Sequence, residues 1–135
     1  MRKVRLFSIC LLLMSSGISH AQKAFSTCSA AFIDKKMVVD EYSTKGKSAL
    51  SSLAKGTLTV CTADISSVST KPVEKIHFKV AIRDKQTRTL MMYSDQIFDQ
   101  LNIQDVLRKC RKGDHIVLMT TDSQYALPHN EILVI

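Results

Sequence analysis

Tryptophan is absent from this chain of 135 residues, and aromatic residues make up only 6% of it. Single-stranded nucleic acids bind by stacking their bases on aromatic rings, so this scarcity argues against such a ligand. It argues against a sugar-stacking surface for the same reason. Glycine and proline are also few, with four and two residues, and the chain shows no repeat, low-complexity tract or long linker. The sequence therefore predicts a single folding unit.

The motifs of common catalytic and metal sites are missing as well. The chain contains no Cys-x-x-Cys, His-Glu-x-x-His, Gly-x-Ser-x-Gly or glycine-rich phosphate loop. Zinc requires three or four converging ligands, and the spacing of His77, His115, His129 and Glu131 does not force such convergence. The sequence predicts no catalytic residue, no metal site and no cofactor, and hence a protein that is not an enzyme.

The first 21 residues have the layout of a secretory signal peptide. Met1–Arg5 is basic, Leu6–Ile18 is apolar, and Ser19 and Ala21 are small residues at the two positions that precede a cleavage site. The apolar run is shorter than the roughly 20 residues of a membrane-spanning helix; an uncleaved anchor is the alternative. The sequence predicts cleavage after Ala21, a periplasmic or secreted location, and one β-rich domain over residues 22–135.

Three cysteines follow the predicted cleavage site: Cys28, Cys61 and Cys110. Exported proteins meet an oxidising environment, in which disulfides form and persist. Cys110 has a place on the apolar face of a predicted helix, so Cys28 and Cys61 are the predicted pair. Three buried thiols are the alternative, because a free cysteine packs as a small apolar residue.

That helix is the clearest local element. Apolar side chains recur at i, i+3, i+4 and i+7, which is one face of a helix. Asn102 is placed to cap its first turn, and Gly113 is placed to end it. The pattern predicts one amphipathic helix near residues 103–112, with an apolar face of Ile103, Val106, Leu107 and Cys110.

Alternation of apolar and polar residues predicts short strands over most of the remaining chain. The clearest alternation runs over Glu74–Arg83, where Ile76, Phe78, Val80 and Ile82 are apolar. Such alternation is typical of an antiparallel sheet with one buried face. The predicted fold class is mainly β (α+β), an antiparallel β-sandwich or a partly open barrel. Further strands are predicted over Lys36–Tyr42, Thr57–Ile65, Arg88–Tyr93, His115–Thr121 and Glu131–Ile135.

The polar positions of the Glu74–Arg83 strand are mostly cationic. A row of cations on one side of a strand can bind an acidic protein or an anionic envelope polymer. A solvated sheet face is the alternative interpretation, because charge runs often serve solubility alone. The predicted ligand-binding residues, named here the basic strand face, are Lys75, His77, Lys79, Arg83 and Arg88.

Together these observations predict an exported, non-enzymatic binding or assembly module that contacts an acidic partner through the basic strand face. One alternative is a small hydrolase or enzyme inhibitor with a site built from loops, using His115, Asp122, His129 or Glu131. Another is a subunit of a cell-envelope assembly, in which an exposed strand adds to the sheet of a partner.

Overall fold

The computed structural model describes residues 28–64 and 71–135 of the chain. These residues form two five-stranded sheets and one short helix, so the predicted mainly-β α+β fold class is confirmed. The predicted signal peptide lies outside the described residues. The elements are β1 (Ser29–Ile33), β2 (Lys36–Met37), β3 (Ala49–Leu50), β4 (Thr57–Asp64), β5 (Lys71–Ile76), β6 (Phe78–Arg83), β7 (Leu90–Met92), β8 (Leu101–Asn102), α1 (Ile103–Leu107), β9 (His115–Thr120) and β10 (Glu131–Val134).

Strand order differs from chain order in both sheets. The first sheet has the strand order β2-β1-β4-β5, and β8 pairs with the first two residues of β4. The second sheet runs β3-β10-β9-β6-β7. The named strands pair antiparallel except β3 and β10, which pair parallel. As far as the described residues show, neither sheet closes into a barrel.

The main core lies between the inner faces of the two sheets. Leu58 and Val60 of β4 enter it from the first sheet, and Ile116 and Leu118 of β9 enter it from the second. The opposite face of β4 carries a smaller apolar cluster that includes Cys61. β4 lies within the strand predicted over Thr57–Ile65, and its side chains alternate between the two clusters, with Leu58 and Val60 on one side and Cys61 on the other.

The chain passes from the first sheet to the second at His77. β5 pairs with β4 up to Ile76, and β6 pairs with β9 from Phe78 onward. The single strand predicted over Glu74–Arg83 is therefore wrong. Ile76 and Phe78 both enter the main core, so the apolar alternation continues through the corner while the hydrogen-bonding partners change.

The predicted helix is present but shorter than the pattern indicated. Asn102 caps it as predicted, since its side chain accepts a hydrogen bond from the Gln104 amide at 3.0 Å. The helix ends at Leu107 and is followed by turns. The backbone amides of Lys85, in the hairpin between β6 and β7, and of Arg111, after the helix, donate to the buried carboxylate of Asp114 at 2.9 and 2.8 Å. These bonds hold the segment that follows the helix, residues 108–112, in a turn against the β6–β7 hairpin. We call this segment, which contains four cations, the basic segment.

β1 was not predicted from the sequence. Its residues from Ser29 to Phe32 are all buried, so the strand shows no alternation between apolar and polar residues. β3 pairs with β10, far away in the chain, and not with the neighbouring β4.

Candidate binding surface

The structure divides the basic strand face between two sheets. Lys75 lies on β5 of the first sheet, and His77 lies at the corner between the sheets. Lys79 and Arg83 lie on the outer face of β6 in the second sheet, and Arg88 lies in the β6–β7 hairpin with a φ of 62°. The five residues therefore do not form one row on one strand. Their role in binding stays a prediction.

Three of these five residues already have side-chain partners. The Lys75 ammonium donates to the Gln100 side chain at 2.8 Å, and the His77 ring contacts the Asp99 carboxylate. The Arg83 guanidinium reaches across β9 to Glu131 at 2.7 Å. These contacts engage three of the five side chains that were predicted to bind an acidic ligand.

Cys28 and Cys61 are thiols in the structure, and they belong to one face of the first sheet. Cys61 is opposite Ala30 in the β1–β4 register, and the Cys28 carbonyl accepts a hydrogen bond from the Ala63 amide at 3.0 Å. The two cysteines are thus diagonal neighbours. Burial raises the pKa of the Cys61 thiol, which suppresses the reactive thiolate at neutral pH. The Cys28–Cys61 disulfide stays a prediction.

Two of the residues predicted for a loop-built catalytic site, Glu131 and His129, have other partners in the structure. Glu131 is engaged by Arg83, and the His129 ring packs edge-on against Tyr42 with centroids 6.1 Å apart. His115 is opposite Leu133 in the β9–β10 register. Within residues 28–64 and 71–135, no three histidine, cysteine or carboxylate side chains are grouped as a metal site would require.

The sequence predicted a strand over Arg88–Tyr93, but not that its central part, β7, is an exposed terminal strand. It is the last strand of the second sheet, and no strand of the described residues pairs with its outer side. Leu90, Met91 and Met92 are 43%, 66% and 45% exposed. Three consecutive exposed apolar side chains on a terminal strand form an unusual surface, because such strands are templates for pairing with another chain.

The ladder between β6 and β7 shows which backbone groups face outward. The Tyr93 amide donates to the Val80 carbonyl, and the Asp84 amide donates to the Thr89 carbonyl, both at 2.9 Å. Bonded and non-bonded pairs alternate in an antiparallel ladder. Leu90 and Met92 therefore occupy the positions whose N–H and C=O groups point away from β6. We call these outward groups, with the side chains of Leu90–Met92, the β7 edge.

A groove of about 520 Å³ lies beside the β7 edge. One of its walls is the hairpin, and the other is the basic segment that follows α1. The Lys109 ammonium lies 5.0 Å from the centre of the Tyr93 ring, within the range of a cation–π contact. The residues lining this β7 groove include Ile82, Met91, Met92, Tyr93, Lys109 and Arg111.

Two carboxylates also line the β7 groove, and both are bound to backbone amides. Asp84 accepts hydrogen bonds from the Thr87 and Gln86 amides, which hold the pKa of its carboxyl below the usual value. Asp114 accepts from the Lys85 and Arg111 amides. The two carboxylates thus stabilise the β6–β7 hairpin and the turn that precedes β9.

Among the described residues, no helix is long and apolar enough to cross a membrane. Comparison of the chain with protein-family models, with curated proteins and with solved structures found no match.

Proposed function

We propose that this protein is an exported, non-enzymatic binding module that adds an extended segment of a partner protein to its second sheet at the β7 edge. The observation that carries the proposal is the exposure of Leu90, Met91 and Met92 on a terminal strand whose outward backbone groups are not used by β6. Strand addition satisfies such groups by main-chain hydrogen bonds, and side-chain contacts supply the choice of partner.

The other terminal strands differ from β7 in ways that discourage pairing. β2 and β3 are two residues long. β5 carries Pro72, Glu74 and Lys75, and both proline and charge are devices by which proteins protect exposed strands. β7 has neither device within Leu90–Met92. This contrast favours β7 as a site of contact.

The proposal joins two interpretations that the sequence left open. A binding module and a subunit of a cell-envelope assembly would use the same strand, so the β7 edge serves both. The export signal in residues 1–21 supports a periplasmic or secreted partner. We place the contact site at the β7 edge and not at the basic strand face, because Lys75 and Arg83 already have side-chain partners at the surface.

The test is site-specific photo-crosslinking in cells that export the protein. A photoreactive side chain at Leu90 is expected to give a discrete adduct, and one at Leu53 is not, although Leu53 is 83% exposed. Met92→Pro removes an outward N–H while leaving the ladder to β6, and it should abolish the adduct. Met92→Ala keeps the N–H and should retain most of the adduct.

Folding of each variant is checked by its melting temperature. Equal adducts from Leu90 and Leu53, or an adduct at Leu90 that persists in folded Met92→Pro, would show that the β7 edge does not bind by strand addition.

A further inference from the structure

We infer that Met91 and Met92 are oxidation sites that regulate the β7 edge, because conversion of their thioethers to sulfoxides weakens the packing of a partner strand there. This inference rests on the proposed function and adds its regulation by a peroxide oxidant. It depends on where the methionines lie in the fold and on what a sulfoxide does at a surface that a partner must cover.

The exposed methionines that follow the predicted signal peptide lie together in one strand. Four methionines follow the predicted cleavage site: Met37, Met91, Met92 and Met119. Met37 and Met119 are partly buried, and Met37 packs against the smaller apolar cluster on β4. Met91 and Met92 are both exposed. We therefore expect an oxidant in solution to react with the thioethers of β7 before the other two.

The reaction is the transfer of one oxygen atom from hydrogen peroxide to the methionine sulfur. A lone pair of the sulfur attacks one peroxide oxygen, the O–O bond breaks, and the departing hydroxide takes the proton of the new S–OH group and leaves as water. The thioether loses two electrons and the peroxide gains them. The product is methionine sulfoxide, which methionine sulfoxide reductases convert back to the thioether. The predicted export places both side chains in an oxidising compartment.

A sulfoxide makes the β7 edge polar where it was apolar. Its oxygen accepts hydrogen bonds, which water supplies while β7 is exposed. A partner strand that covers β7 removes this water, and burial of a polar atom without a hydrogen bond is unfavourable. Met91 and Met92 also line the β7 groove, so a segment paired with β7 passes beside both side chains. Oxidation thus weakens strand addition although the outward backbone groups of β7 are unchanged.

The fold does not depend on these two thioethers. Neither Met91 nor Met92 belongs to the two apolar clusters. The contacts that hold β7 to β6 are hydrogen bonds of the backbone, such as that from the Tyr93 amide to the Val80 carbonyl. We therefore expect oxidation to leave the melting temperature nearly unchanged, so that a loss of binding reports on the surface and not on unfolding.

The experiment treats the purified exported protein with hydrogen peroxide, removes the peroxide, and adds the protein to an envelope extract of the cells in which the Leu90 adduct forms. A photoreactive side chain at Leu90 reports binding. Peptide mass spectrometry is expected to show sulfoxide at Met91 and Met92 before Met37 and Met119. The adduct should fall about tenfold, as for burial of one unsatisfied polar group. Methionine sulfoxide reductases should restore it.

Three double variants serve as controls. Met91→Leu, Met92→Leu keeps the apolar surface without an oxidisable sulfur, so its adduct should resist peroxide. It retains the cysteines, so a loss of the adduct through thiol oxidation would appear in it as well. The matched control Met37→Leu, Met119→Leu should stay sensitive to peroxide. Met91→Gln, Met92→Gln places polar groups at the same two sites and should lower the adduct without peroxide.

The outcomes separate the inference from the proposed function. If Met91 and Met92 oxidise no faster than Met119, or if their oxidation leaves the adduct unchanged, the regulation is wrong and strand addition stands. Loss of the adduct when the folded Met91→Leu, Met92→Leu variant is treated with peroxide would also overturn the regulation. If the untreated protein gives no adduct at Leu90, both are wrong.

Discussion

The guanidinium of Arg83 on β6 and the carboxylate of Glu131 on β10 meet across β9 at 2.7 Å, on the same face as the buried Val117. The pair joins three neighbouring strands of the second sheet. Because both side chains are partly exposed, solvent screens much of their attraction.

We expect a double-mutant cycle with Arg83→Met and Glu131→Gln to give a coupling free energy of about 0.5 kcal/mol in urea unfolding. The coupling should shrink toward zero at molar salt, since exposed charges are screened there. The Arg108–Asp105 pair is the control, since it lies within one turn of chain. Its coupling should be no larger, and a salt-independent Arg83–Glu131 coupling would contradict this account.

Asp114 is the buried link between the β6–β7 hairpin and the turn before β9. Asp114→Ala leaves the Lys85 and Arg111 amides without their acceptor. We expect a loss of about 2–3 kcal/mol in the free energy of unfolding, as for buried hydrogen bonds to a charged group. Asp122→Ala is the matched control, because the exposed Asp122 side chain accepts one bond, from the Gln124 amide. Equal losses for the two variants would refute a linking role for Asp114.

We expect ionisation of the Cys110 thiol to lower the free energy of unfolding at alkaline pH. Burial, with a smaller effect of the Asp114 charge, raises the pKa of this thiol from 9.0 to about 11. The unfolded chain therefore ionises first as pH rises. The stabilisation from the protonated thiol is complete below pH 9.0 and is lost as pH approaches 11.

Cys110→Ala should make the decline in unfolding free energy between pH 9 and 11 shallower than in the unaltered protein. Cys28→Ala offers a comparison at a thiol outside the main core. Curves of unfolding free energy against pH that fall in parallel for Cys110→Ala and the unaltered protein would contradict the assignment.

The export prediction concerns the first residue of the mature protein. Mass spectrometry of protein recovered outside the cytoplasm should place its N-terminus at Gln22. Ala21→Arg removes the small residue before the cleavage site and should leave the precursor intact, whereas Gln22→Ala should be processed normally. A mature protein that retains Met1 would support the uncleaved anchor instead.

The sequence predicted the elements whose formation is local. The Asn102 cap, the buried positions of α1, and the two faces of β4 follow from neighbouring residues, so periodicity could reveal them. A strand was predicted over Arg88–Tyr93, which contains β7. Its place at the end of a sheet depends on the pairing of β6 with β9, which no local pattern encodes. The corner at His77 could not be predicted for a related reason. Ile76 and Phe78 keep the alternation of a single strand, although they belong to two different sheets.

The β7 groove could not be predicted from the sequence for the same reason. Lys109 and Arg111 fall within the helix predicted near residues 103–112, where cations in the last turn suit the helix dipole and are solvated. The helix ends at Leu107, and the Asp114 carboxylate turns the basic segment toward the hairpin. That bond joins parts of the chain 29 residues apart, so sequence spacing gave no sign that the cations would face a groove.

β10 lies between β9 and β3, and β3 is formed by Ala49 and Leu50, far earlier in the chain. During synthesis, β3 has no partner in this sheet until residues 131–134 have been made. The second sheet therefore assembles late, after the intervening strands are available.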